Sequence, residues 1–104
     1  MNTKQASDII NRFVSGNMDS PWDWDDFLSE RDGGPIINLV RGFCGELAEI
    51  FPPRAESGMY CSDAGMAVLL ELAAVLLEGE AHLKTWLKQA EITYTLPRLT
   101  DSLE

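Results

Sequence analysis

Five carboxylates fall within the twelve residues 19–30, DSPWDWDDFLSE, beside two tryptophans and a phenylalanine. Carboxylates facing each other across a substrate, one of them desolvated so that its pKa rises, are the equipment of glycoside hydrolysis. Asp23, Asp25 and Asp26 do not suit that geometry, because neighbours on a helix fan out by about 100° each. No second acid cluster lies in an apolar stretch to face them. Nucleophilic catalysis by serine or cysteine needs an adjacent base. The one histidine, His82, sits in the polar run EGEAHLKTW, as a surface or boundary residue would. A zinc site takes four ligands, or three plus water; Cys44, Cys61 and His82 supply three at most and are widely separated. The glycines of RDGGP do not follow a strand, so they do not read as a phosphate loop. The expectation is a protein without catalysis, metal or cofactor. Cys44 and Cys61 form no C-x-x-C pair and too few bridges for a disulfide framework, so both are expected as reduced, partly buried thiols.

The elements that must carry these residues are helical. Ile9, Ile10, Phe13 and Val14 follow the i, i+3, i+4 spacing of an amphipathic helix over 3–15, capped by Asn2 or Thr3 and ended by the SGN at 15–17. A short helix is expected over 21–29, with Ser20 as N-cap, Pro21 at the first helical position and Asp23 as the acidic member of a capping box. RDGG at 31–34 stops it. Pro35 opens a third helix whose Ile36, Leu39, Val40, Phe43, Leu47, Ile50 and Phe51 repeat at helical spacing until Pro52–Pro53. Residues 54–61 read as a loop. Ser62 caps a fourth helix over 63–78, with Met66, Leu69, Leu70, Ala73, Leu76 and Leu77 as a wide apolar face. Leu76, Leu83, Leu87 and Ala90 stay in phase across Gly79, yet a glycine there favours a break and a fifth helix over 82–90. Beyond Glu91 an irregular tail is expected, with Ile92, Tyr94 and Leu96 packing back on the bundle. MAVLLELAAVLLEGE is interrupted by Glu71 and Glu78 and is shorter than the roughly 20 apolar residues of a membrane span. The first residues lack the charged head and apolar run of an export signal, pointing to the cytoplasm.

With 104 residues, the chain is expected to form one domain over 1–104 with a modest core. On the second helix Trp24, Phe27 and Leu28 share a face and read as core, while Trp22, Asp25, Asp26 and Ser29 lie around the other sides. Trp22 is either a staple at the helix start or an exposed anchor of the kind enriched in interfaces. The formal charge is −9, from 8 basic and 17 acidic residues. Such a balance excludes a phosphate footprint and argues against nucleic acid and anionic membranes. It suits a basic protein partner, whose opposite field raises the association rate. The charge is uneven: −4 over 1–35, −1 over 36–60 and −4 over 61–104. Acidic surface therefore concentrates on the second helix with its SERD loop, and around LEGEAH and the tail.

The order FVSGNMDSPWDWDDF, GGPIINLVRGFCGEL, PP and YCSDAGMAVLLELAAVL resembles a group of small, acidic, all-helical bacterial immunity proteins of polymorphic toxin and contact-dependent growth inhibition loci. The signature residues are WDDF at 24–27 and YCSDAG at 60–65. The resemblance covers about 13–77; one departure is GGP at 33–35, where an acidic residue is expected before the proline. It implies a cytoplasmic antidote that binds a toxin domain, often a nuclease, and fills its basic cleft without chemistry. The signature is then mostly scaffold, and the acidic surface around it makes the recognition.

The expected fold is all-α, a compact bundle or short superhelix of four to six helices. The expected partner-binding residues are Trp22, Asp23, Asp25, Asp26, Glu30 and Asp32, with Glu78 and Glu80 as a second cluster. The expected partner is a cognate basic toxin domain held in a one-to-one complex, with no direct nucleic acid and no membrane. The alternatives are a helical interaction or regulatory module unrelated to toxins, and a structural subunit whose fourth helix is buried in an oligomer.

Overall fold

The computed structural model describes residues 1–20, 22–31, 33–53 and 60–94. Among them the chain forms five helices and no strand, an all-α fold: α1 Thr3–Ser15, α2 Asp23–Ser29, α3 Pro35–Ile50, α4 Asp63–Leu76 and α5 Glu80–Thr93. Each begins and ends for a local reason. Asn2 caps α1 in a full capping box, its side chain accepting from the Gln5 N–H at 2.8 Å while its own N–H donates to Gln5 Oε1 at 2.9 Å. Gly16 ends α1 at φ 76°, a left-handed geometry that costs glycine little. Pro35 stands at the start of α3, where the absent N–H has no partner to lose. Ser62 caps α4, accepting from the Gly65 N–H at 3.3 Å. Gly79, at φ 109°, separates α4 from α5, so the expected break is present. The fifth helix is longer than the expected 82–90, and α4 stops two residues short of the expected 78.

One apolar cluster draws residues from all five helices. The α4 helix lies at its centre, packed on α1, α5 and α3. The small side chains of Ala6 and Ser7 let α1 approach closely, and the buried Ser7 hydroxyl donates to the Ala73 carbonyl at 2.7 Å. Gly65 serves the same purpose at the other end of α4: a Cβ there would stand 2.7 Å from Cys61 Sγ and 3.0 Å from Phe51 Cβ. The α5 helix buries Leu83, Leu87 and Ala90 on one stripe. Trp86 fastens it further, stacking edge-on against Phe43 at 5.2 Å and donating from Nε1 to Glu71 Oε1 at 2.9 Å.

Three apolar expectations need correction. Leu70 and Leu77, placed by periodicity on the buried face of α4, are 47% and 62% exposed. The apolar arc of α4 is wider than its three neighbours cover, and these two leucines fall in the uncovered part. Ile92 is 76% exposed, because α5 continues through it and carries its side chain outward. Tyr94 does pack back, edge-on to Phe51 at 5.3 Å. Leu96 and the rest of the expected tail lie outside the described residues, as do 54–59 of the expected loop. Cys44 and Cys61 are both free and buried. No helix among the described residues is long and apolar enough to cross a membrane.

Candidate functional site

The start of α2 is built by a turn rather than by a helix over 21–29. The Ser20 hydroxyl accepts from the Trp22 N–H at 3.2 Å, and the Asp23 N–H donates to the Ser20 carbonyl at 3.2 Å. Asp23 reaches back, its Oδ2 accepting from the Ser20 N–H at 3.1 Å. Asp23 thus performs the acidic half of the expected capping box. The Ser20 hydroxyl serves the tighter turn instead, so the regular helix begins at Asp23. Pro21 and Asp32, the latter an expected partner-binding residue, lie outside the described residues.

Trp24 anchors this short helix. Its ring stacks on Phe13 of α1 at 3.9 Å with 6° between planes, and Tyr60 closes edge-on against both rings. The Tyr60 hydroxyl donates to the Cys44 carbonyl at 2.8 Å. Burial pushes its pKa up to about 12, aided by the nearby Cys44 and Cys61 thiols and eased down by the Trp24 indole. The same burial raises the Cys44 thiol far above its ordinary value. Phe27 is buried one turn beyond Trp24, at 5.4 Å from its ring. The WDDF segment is therefore half scaffold: Trp24 and Phe27 face inward, and Asp25 and Asp26 are exposed.

The polarity of the helices decides which expected residues meet. Trp24, near the start of α2, lies on Phe13, near the end of α1. Glu30, at the end of α2, shares Arg41 with Met1: Arg41 Nη2 is 3.8 Å from Glu30 Oε2 and 3.7 Å from Met1 Sδ. The α2 helix thus runs antiparallel along α1. Between them lies a groove of about 300 Å³. Met1, Ile9, Met18 and Phe27 form its partly or fully buried lining, and Asp23, Asp26 and Glu30 line it from α2. Arg12 lies across from them, already engaged by Asp19 at 2.8 Å and Asp8 at 4.0 Å. Trp22 stands 68% exposed, and neither it nor Asp25 lines this groove.

Glu78 and Glu80 flank the α4–α5 turn. Tyr60, just before α4, contacts Phe13, while Ala73, near the end of α4, contacts Ser7. The α4 helix is therefore antiparallel to α1, and the α4–α5 turn lies at the opposite end of α1 from Trp22 and Asp23. There Glu78 pairs with His82 at 3.0 Å, both exposed, and Glu80 is exposed in the first turn of α5. Neither Glu78 nor Glu80 lines the groove between α1 and α2.

Arg41 is the residue that sequence reasoning passed over. Its side chain is fully buried beneath α2, with the guanidinium 5.3 Å from the centre of the Phe27 ring. It donates to Asn38 Oδ1 at 2.9 Å and pairs with Glu30. The available signal was its place on the stripe Ile37, Arg41, Cys44, spaced i, i+4, i+7 on the inner side of α3. The group holds Glu30 at the end of the groove.

Among the described residues no three metal-ligating side chains cluster. Asp25, Asp26 and Glu30 keep their access to water, which suits them to pairing with cationic side chains at a rim. Searches against family models, curated proteins and solved structures find no match to this chain.

Proposed function

We propose that this chain is a non-catalytic binding protein whose acidic α2 edge docks a basic partner protein, and that the partner is a toxin domain neutralised by occlusion. The observation that carries this reading is the arrangement of α2. Trp24 and Phe27 are consumed by the core, whereas Trp22, Asp25, Asp26 and Glu30 are all exposed on a rigidly anchored helix. The formal charge of −9 supports it, since an acidic protein is steered toward a basic surface and can cover a cleft made for phosphates. The resemblance to immunity proteins supplies the toxin, the cytoplasmic setting and the one-to-one stoichiometry. Asp23 contributes less than its neighbours because one of its oxygens serves the Ser20 N–H. Glu78 and Glu80, at the α4–α5 turn, contribute a second acidic spot outside the groove.

The test is to look for a toxin gene immediately upstream and to co-express its C-terminal domain with this chain, followed by isolation of the complex. Rescue of growth and a one-to-one complex are expected. Reversing Asp25, Asp26 and Glu30 together to lysine should slow association at least tenfold and flatten its salt dependence. Unchanged association would place the interface elsewhere.

A second reading is a helical subunit that pairs through α4. It is favoured by Ala67, Leu70, Ala74 and Leu77, which are all exposed and repeat at three- and four-residue spacing. Light scattering on the purified chain distinguishes the two: a monomer supports the docking reading and a dimer the subunit.

A further inference from the structure

We infer that the groove between α1 and α2 receives an amphipathic helical segment of the partner, bearing lysine or arginine at one-turn intervals along an apolar stripe. The inference rests on the basic-partner reading and names what that partner inserts. Asp23, Asp26 and Glu30 stand at i, i+3, i+7, so they fall on one side of α2, the side that lines the groove. The helical rise separates them by about 4.5 and 6 Å along the axis. A second helix laid along the groove repeats its own side chains at the same intervals, so its basic residues at i, i+3 or i+4, and i+7 stay in register with the carboxylates. The lining explains why the side chains are long and basic. Met1, Ile9, Met18 and Phe27 offer apolar surface to the methylene stems, and the carboxylates meet the charged heads. Methionine adapts to varied shapes, so the two methionines suit a surface that moulds to inserted stems. Of the cations at the groove, Arg12 is engaged by Asp19 and Asp8, Arg41 is buried behind Glu30, and the α-amino group of Met1 leaves the three carboxylates of α2 in excess. The groove therefore presents negative potential to the arriving segment. A volume of about 300 Å³ is too small for a helix to sink into, so its basic side chains enter while its backbone stays outside.

The probe is an alanine-based helical peptide with lysine at i, i+4 and i+7 and leucine between them on the same face, titrated into protein labelled at the methionine methyls. The Met1 and Met18 signals should move saturably while that of Met66, on α4, stays in place. Asp26→Asn with Glu30→Gln should weaken binding about tenfold. Glu49→Gln, which removes the same kind of charge from an exposed site on α3, should change it less than about twofold. Three results overturn the groove: no shift at Met1 and Met18, equal binding by a peptide of the same composition with its lysines scattered around the helix, or equal weakening by Glu49→Gln. Those results leave the acidic-face reading intact if lysine reversal of Asp25, Asp26 and Glu30 still abolishes growth rescue, so the two readings fail separately.

Discussion

A single residue separates Trp22, most of whose surface meets water, from Trp24, which stacks on Phe13 inside the core. Residue type alone made both candidates for a site, and helical phase already divided them. Replacing Trp24 by alanine should cost about 3–5 kcal/mol, read from the urea midpoint, because it empties a space shared by α1, α2 and Tyr60. Trp22→Ala should stay within about 0.5 kcal/mol of the parent and show itself in the dissociation rate of the complex instead. Tyr60 gives a second residue-scale prediction. Its pKa is raised from 10.0 to about 12, mainly by burial, so the folded state holds the phenol proton more tightly than the unfolded chain does. The stabilisation this linkage gives is complete below pH 10 and declines as the pH climbs toward 12. Following phenolate absorbance in a Tyr94→Phe background should place the Tyr60 midpoint near 12, and unfolding the protein should bring it down to about 10. Neither the shift nor Arg41's place beneath Phe27 was legible in the residues, since both depend on partners 14 to 16 positions away.

At the scale of the element, most boundaries were written locally. Asn2, Gly16, Pro35 and Ser62 act through their own backbone neighbours, and each sits where its chemistry predicts. The start of α2 differs, because the Ser20 hydroxyl found the Trp22 N–H before it could serve a longer helix. Gly79 was ambiguous for a physical reason: apolar residues on both sides of it kept one phase, and phase does not report whether the chain turns between them. Its φ of 109° settles the matter. Gly79→Ala should destabilise by about 1–3 kcal/mol through backbone strain alone, since an added Cβ meets nothing within 4 Å. A D-alanine at the same position, at ease with positive φ, should restore the thermal midpoint. Equal midpoints for the glycine and L-alanine proteins would mean that α4 and α5 join without strain.

The whole molecule carries a charge of −9 within a radius of gyration of 13.0 Å, so its acidic clusters repel one another when salt is low. Raising ionic strength from about 0.01 M to 0.15 M shortens the Debye length from about 30 to 8 Å. The thermal midpoint should therefore rise by a few degrees, measurable by scanning calorimetry, while association with a basic partner slows over the same range. A protein whose charge served only solubility would show the first effect without the second.

By itself the sequence determined the all-α class, the caps, the inward phase of Trp24 and Phe27 and the acidity of the surface. These follow from hydrogen bonds within a turn, from the helical period and from composition, which need no knowledge of neighbouring elements. The tertiary structure alone decided that Asp23, Asp26 and Glu30 line a groove that Glu78 and Glu80 do not share. It decided too that Arg41 meets Glu30 and the Phe27 ring, and that Leu70, Leu77 and Ile92 are bare. A side chain's burial and company depend on which helix lies across it and in which direction that helix runs, and the packing of five helices around one core sets both.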